Sequence, residues 1–300
     1  MAACAITQAE LCAGGGMLGA GVKLGLELVT GWPVRTVLYS EWESYAAATL
    51  VARMEDAALD SAPVWSDLRT LDGAAWRGCV DIVAAGIPCQ GNSLAGQRKL
   101  NDDPRNMWPP TRRLLRAMEP EWFFLENVYG FAVPDRASGR EAPIARVLGE
   151  LAEDGWDAEW DVFRAREVGA KHSRERVFVL AHRQGNDGRG EQSTRGARRG
   201  GRAGLAGSGE AVGDGERKAA SAVERGGEYL PLFAPGRDDW RAWAAVAGVD
   251  ATRMPCVERA LRGVVDGLAP RVEQLRVTGN GVVPLQAAVA FVALWDRFDA

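Results

Sequence analysis

From the start of the chain to about residue 182, short apolar runs rich in β-prone residues alternate with longer stretches whose apolar positions recur at helical spacing. Runs that stay apolar at consecutive positions are what strands need when helices cover both faces of a sheet, so the pattern predicts an α/β fold with a doubly wound, mostly parallel sheet. Strands are expected near Ala5 to Leu11, Arg35 to Ser40, Val80 to Ala85, Trp122 to Glu126, Trp156 to Phe163 and Arg176 to Ala181.

Beyond residue 183 the pattern fails. Residues 184–228 contain 13 glycines and only Leu205, Val212 and Val223 as large aliphatic residues, too few to bury a core, so a flexible Gly/Arg-rich insertion is expected. Its mixed charges suit a solvated linker, with Arg195 to Arg202 as a candidate phosphate contact. Structure is expected to resume at Tyr229; Trp240 and Trp243 stand three apart, as packing residues of a helix would. A last amphipathic helix, about Leu285 to Phe298, carries Val289, Val292 and Trp295 on one face and is expected to return to the sheet. This divides the chain into a domain at 1–182, a second region at 183–270 and a returning segment at 271–300.

Composition narrows the class. Nearly half of the 300 residues are hydrophobic, enough for a full core, while no apolar run approaches the ~20 residues of a membrane helix and the N-terminus does not read as a signal peptide. A cytoplasmic protein with no membrane partner is expected. The five cysteines, at 4, 12, 79, 89 and 256, form no CxxC pair, so neither a disulfide framework nor a zinc site is suggested. A net charge of −4 argues against indiscriminate coating of nucleic acid but is silent about a local basic cleft.

Five segments carry candidate chemistry. Ala13, Gly14, Gly15, Gly16 and Met17 follow the first strand and open a helix, a turn where backbone can approach a ligand and a helix N-terminus favours an anionic group. The same turn occurs in nicotinamide and flavin enzymes. After the second strand, Glu41 can accept from ribose hydroxyls and Trp42 can stack on adenine, although Ser40 with Glu43 would equally make a helix cap. Asp67, before Leu68, could accept from an adenine amino group or simply cap a turn. The run Gly86-Ile87-Pro88-Cys89-Gln90 places a cysteine at the carboxyl end of an apolar strand, where α/β folds bind ligands. Phe123 to Val128 ends another such strand in Glu126, a poorly solvated carboxyl suited to hold a proton near neutral pH. A nucleophile and an acid on neighbouring strands form a recognisable pair.

With its Pro-Cys-Gln loop followed by a Glu-Asn-Val strand end, the sequence resembles the cytosine-C5 DNA methyltransferase family. Ala13 to Gly16 is similar to the family's glycine loop, Glu41-Trp42 to its ribose and adenine site, and Asp67-Leu68 to its adenine edge. Ser93 to Gln97 and Arg105 to Pro109 look like the mobile catalytic loop and the helix after it; Gly169 to Phe178, with Arg174 and Arg176, resembles the segment that faces the target base and phosphates. Thr278 to Pro284, with Asn280 and Val282, resembles the last motif, which completes the cofactor pocket. Ser173 stands where glutamine is usual, and three departures stand out: Cys12 where an aromatic is usual, no evident motif before the last one, for which Val265 to Leu268 with Arg271 is a shortened candidate, and a recognition region, about 183 to 270, that is small and partly low in complexity.

The resemblance implies a Rossmann-like fold, S-adenosyl-L-methionine as cofactor, and a catalytic set of Cys89, Glu126, Arg174 and Arg176. It implies cofactor contacts from Ala13, Gly14, Gly16, Met17, Glu41, Trp42, Asp67, Leu68, Pro88, Asn280 and Val282, and DNA contacts from Gln90, Ser93 and Arg105. Region 183–270 would be the target-recognition region. The partner would be double-stranded DNA, bound by a bacterial or phage-encoded monomer, with a cognate restriction endonuclease as a candidate second partner. Transfer to cytosine C5 would proceed through a flipped base and a Cys89–C6 adduct. An RNA cytosine-C5 methyltransferase, or a non-catalytic DNA-binding protein of the same fold, remains the alternative.

Overall fold

The computed structural model describes residues 5–88, 106–134, 139, 141–183 and 281–298, together with the backbone of 223–225 and 228–230. Seven strands form one sheet: β1 (Ile6–Leu11), β2 (Val34–Ser40), β3 (Val64–Trp65), β4 (Ile82–Ala85), β5 (Trp122–Val128), β6 (Trp156–Arg164) and β7 (Glu175–Arg183). Their order is β3-β2-β1-β4-β5-β7-β6, parallel throughout except for β7, which runs antiparallel to both β5 and β6. The doubly wound, mostly parallel α/β fold predicted from the sequence is therefore the fold found, and the expected strands lie within two residues of the observed ones. The two-residue β3 has no apolar run to announce it.

Side chains of β5 show why consecutive apolar residues were needed. Trp122 and Phe124 point into the core shared with α1 (Met17–Thr30) and α5 (Pro284–Phe298), whereas Phe123 and Leu125 point into the opposite core, which holds α3 (Trp108–Met118) and α4 (Pro143–Glu153). All four are fully buried. α2 (Ser44–Glu55) completes the helical cover, packing Leu50 and Met54 near Tyr39 and Ala13. Arg112 and Arg116 of α3 both grip Asp154 at the end of α4, clamping the two helices together.

The returning helix differs from expectation in one respect. Val289, Val292 and Trp295 are buried as predicted, but Ala287, Ala290, Phe291 and Leu294 are buried as well, so α5 is enclosed on more than one side. It is wedged between α1 and strands β6 and β7, and its aromatic side stacks on the sheet, Trp295 lying 4.3 Å from Trp122 between ring centroids. Gly21 and Gly25 of α1 permit the approach: a Cβ at Gly21 would stand 2.4 Å from the Pro284 carbonyl oxygen, and one at Gly25 2.9 Å from Phe291 Cβ.

At the end of the expected insertion, β8 (Val223–Arg225) pairs antiparallel with β9 (Glu228–Leu230). The rest of that insertion, the Trp240 and Trp243 helix and the Val265 to Leu268 candidate lie outside the described residues. No helix among the described residues is long and apolar enough to cross a membrane.

Candidate active site

The strand order reverses between β1 and β4, because the chain runs outward from β1 through β2 to β3 and then returns to the other side of β1. Connections leaving the carboxyl ends of β1 and β4 diverge there and leave a crevice, the usual ligand site of such sheets. A cavity of about 660 Å³ occupies this position. Cys12 to Gly15 and Met17 form its floor beyond β1; Ser40 to Glu43 enter beyond β2, Ser66 to Arg69 beyond β3, Gly86 to Pro88 beyond β4, and Glu126 to Val128 from β5. Gly281 and Val282, more than 100 residues later in sequence, close one side.

The turn into α1 depends on left-handed backbone at Gly14 (φ +56°) and Gly16 (φ +79°), and Cys12 takes the same region at φ +53°. Nothing lies within 4 Å of where a Gly14 Cβ would stand, so the turn presents bare backbone to the cavity. Glu41 holds it in place. Its Oε2 accepts from Gly14 N and its Oε1 from Glu43 N, each at 2.7 Å. The alternative reading of Ser40 and Glu43 as a helix cap does not apply, since α2 begins at Ser44 and its N-cap residue, Glu43, makes no side-chain cap bond. The Cys12 thiol, pushed up to about 12 by burial and then by the Glu41 charge, is a neutral wall of the cavity.

On the far rim, Trp42 is 67 % exposed and its ring carries the Arg69 guanidinium 5.1 Å from its centroid. Arg69 also holds both oxygens of Asp67, Nε to Oδ1 at 2.9 Å and Nη2 to Oδ2 at 3.1 Å, which keeps the Asp67 carboxyl below the usual carboxylate range. Arg113 of α3 reaches the same loop and donates to the carbonyls of Leu68, Arg69 and Leu71.

At the other end of the cavity, burial raises the Glu126 carboxyl above its ordinary range, against the pull of Arg176 and Arg174. Arg176 Nε lies 2.7 Å from Glu126 Oε1, but its N–H is not aimed at an acceptor, so the contact is electrostatic rather than a directed hydrogen bond. Asn127, beside it, donates from Nδ2 to the Ile87 carbonyl at 3.2 Å and so ties the end of β5 to the segment leading into Cys89. Arg174 donates to the Gly281 carbonyl at 2.5 Å, and Gln286 of α5 donates to the carbonyls of Phe163 and Arg174. The returning segment is thereby fixed to the strand that carries Arg176.

Of the expected site residues, Ala13, Gly14, Met17, Glu41, Trp42, Asp67, Leu68, Pro88, Glu126, Arg176 and Val282 line this one cavity. Gly16 and Arg174 stand behind it, the first as the N-cap of α1 and the second against Gly281. Cys89, Gln90, Ser93, Arg105 and Asn280 lie outside the described residues. The sequence reading gave no role to Arg69, Arg113 or Gln286; each acts through backbone carbonyls or a neighbouring side chain, which no spacing rule reveals.

The comparisons agree with this architecture. The family model for C-5 cytosine-specific DNA methylase matches residues 6–199, a span holding every strand of the seven-stranded sheet. The chain belongs to this family. Relatives include the type II methyltransferase M.NgoMIV of Neisseria gonorrhoeae, 30 % identical over 175 residues that cover 58 % of this chain and 51 % of the relative. Another is M.NaeI of Lentzea aerocolonigenes, 33 % identical over 172 residues, 57 % of this chain and 38 % of the relative. The family member described here thus spans about half or less of the length of these relatives. Among solved structures, the Entamoeba histolytica methyltransferase EhMeth superposes with a TM-score of 0.58 at 13 % identity, covering 98 % of this chain and 99 % of that one. The S. pombe Dnmt2 methyltransferase does so with 0.53 at 12 %, covering 98 % and 100 %. These two share the fold.

Proposed function

We propose that this family member transfers a methyl group from S-adenosyl-L-methionine to carbon 5 of cytosine in double-stranded DNA. The observation that carries the reading is the convergence on one cavity of a glycine turn, a ribose-type carboxylate at Glu41, an acid with a raised pKa at Glu126, and the Pro88 that precedes Cys89.

The cavity suits the cofactor. Its volume falls within the ~300–1,000 Å³ typical of ligand sites. Bare backbone at Gly14 and the start of α1 favour a carboxylate, Glu41 keeps lone pairs for ribose hydroxyls beyond the two amides it already accepts, and Trp42 with Leu68 offers apolar surface to adenine. When bound there, S-adenosyl-L-methionine supplies the electrophilic methyl that C5 takes up.

The residues of this chain do the rest. Cytosine C5 is a poor nucleophile, so the Cys89 thiolate adds first to C6. Glu126, whose burial makes it readier to hold a proton than an ordinary carboxylate, hydrogen-bonds or protonates N3 as the ring gains electrons and so directs density to C5. Loss of the C5 proton then re-forms the ring double bond and expels Cys89. The base must leave the duplex to reach this site, at a cost of a few kcal/mol. Arg176, at the cavity wall beside Glu126, meets the extruded nucleotide, and Arg174 holds the wall from behind.

Incubation with tritium-labelled S-adenosyl-L-methionine, duplex DNA and total tRNA tests the proposal. Label in duplex DNA supports it; label confined to tRNA replaces DNA with RNA as substrate, and no label in either overturns the catalytic reading.

A further inference from the structure

α1 opens without a cap of its own. Its N-cap residue, Gly16, has no side chain to accept an amide, and the first turn contains no acidic residue. The unpaired amides of a helix start need acceptors. One is found across the sheet: Gly19 N donates at 2.8 Å to Oε1 of Glu10, a β1 residue only 1 % exposed. The neighbour on the same face of β1, Gln8, donates from Nε2 to the Gly19 carbonyl at 3.2 Å and to Thr36 Oγ1 at 3.1 Å. Gly19 is what lets these side chains so close, because a Cβ there would stand 2.3 Å from Glu10 Oε2 and 2.7 Å from Gln8 Nε2.

We propose that Glu10 is a positioning residue of the cofactor site: from β1 it caps α1, and so fixes the turn of Gly14 to Gly16 against the ligand. The inference rests on reading the cavity as the S-adenosyl-L-methionine site. Two buried oxygens, Glu10 Oε2 and Gln8 Oε1, are left without hydrogen-bond partners, and a proton on Glu10 removes the cost of burying a carboxylate charge among them. Glu10 holds that proton. Burial, and then the charge of Glu41, push its pKa up to about 8, despite the Gly19 amide. The groups facing it offer no cation. Tyr39 on β2 is neutral and pushed higher by its own burial and by Glu10, Glu41 is negative, and Lys23 of α1 is paired with Asp60.

The test is calorimetric titration of S-adenosyl-L-methionine into wild type, Glu10→Ala and Glu10→Gln from pH 6 to 9, with hydrogen exchange of the segment 14–22 in the unliganded proteins. Removing the acceptor leaves a buried amide unpaired, so Glu10→Ala should bind about tenfold more weakly and exchange its first turn faster. Glu10→Gln keeps an acceptor for Gly19 and is uncharged at every pH. It should bind within about twofold of wild type at pH 7, and its affinity should stay level above pH 8, where wild type weakens as the acid ionises. If Glu10→Ala fails to fold, the pH profile of Glu10→Gln decides. A wild type that binds the cofactor while Glu10→Ala binds as well and exchanges as slowly, or a Glu10→Gln profile that falls in step with wild type, overturns this inference alone. A wild type that does not bind the cofactor overturns the proposed function and this inference with it.

Discussion

Substituting alanine for Gly21 should destabilise the protein, although alanine is the better helix former. In a helix interior Gly→Ala gains about 1 kcal/mol. At Gly21 the new methyl would stand 2.4 Å from the Pro284 carbonyl oxygen and 2.6 Å from Ala287 Cβ, where ordinary contacts need about 3.5 Å or more. The obstacle is the backbone of α5, which cannot swing aside as a side-chain tip can, so α5 must retreat by roughly an ångström from α1. Retreat loosens Phe291, Leu294 and Trp295 against the sheet. Overpacking of this kind costs about 1–3 kcal/mol, and a backbone obstacle belongs at the upper end, for a net loss of about 2 kcal/mol. Gly149 is the control. It lies in α4, exposed, with nothing within 4 Å of its would-be Cβ, so Gly149→Ala should be stabilising by about 1 kcal/mol. For a chain of this size the pair should move Tm in opposite directions, down by about 4–8 °C for Gly21→Ala and up by about 2–4 °C for Gly149→Ala. Thermal unfolding by circular dichroism, checked by urea midpoints, measures both. A Gly21→Ala protein as stable as Gly149→Ala would refute the packing of α5 on α1, and with it the way Gly281 and Val282 are brought to the cavity.

Three further outcomes follow from the site. Glu126→Gln keeps the shape but holds no transferable proton, so kcat should fall by about 10²-fold or more with cofactor affinity little changed, as single-turnover kinetics and calorimetry would show; an unaltered kcat would remove Glu126 from proton transfer. Glu10 makes stability depend on pH: the folded state holds its proton up to about pH 8, the unfolded state only below about 4.5, so folding takes up a proton between these values and stability falls as pH rises through that window. Urea midpoints of wild type should therefore drop relative to those of Glu10→Gln from pH 5 to 8, and parallel curves would mean that Glu10 is ionised when folded. Deleting residues 185–227 should leave cofactor affinity nearly unchanged in calorimetry, and a large loss would make that stretch part of the cofactor domain.

The fold was legible because its central strands β1, β4, β5 and β7 are buried on both faces, and short consecutive apolar runs such as Trp122 to Leu125, too short for a buried helix, mark such strands. The same logic missed β3, which is two residues long and joins the sheet through backbone pairing to Tyr39 and Ser40. It also read α5 as one-sided, although Ala287, Ala290, Phe291 and Leu294 are buried beside the predicted face, because a helix wedged between a sheet and another helix buries more than one stripe. At the site, residues that line the cavity were legible from their position at strand ends. Residues that hold those in place were not. Arg113 grips three carbonyls of a loop some 40 positions away, and Glu10 reads in sequence as a stray acid in an apolar strand. Arg69 adds a third case: Asp67, expected to face adenine, already has both carboxylate oxygens engaged, so its availability to a ligand depends on a neighbour two residues on.

The most direct test of the central claim is covalent capture. A duplex carrying 5-fluorocytosine in place of cytosine, incubated with the protein and S-adenosyl-L-methionine, blocks loss of the group at C5 and traps the enzyme on the base. The account predicts a denaturation-resistant protein–DNA adduct whose crosslinked peptide, by mass spectrometry, carries the base on Cys89, and no adduct with Cys89→Ala. Methylation of duplex cytosine without an adduct, or an adduct that survives Cys89→Ala, would contradict it.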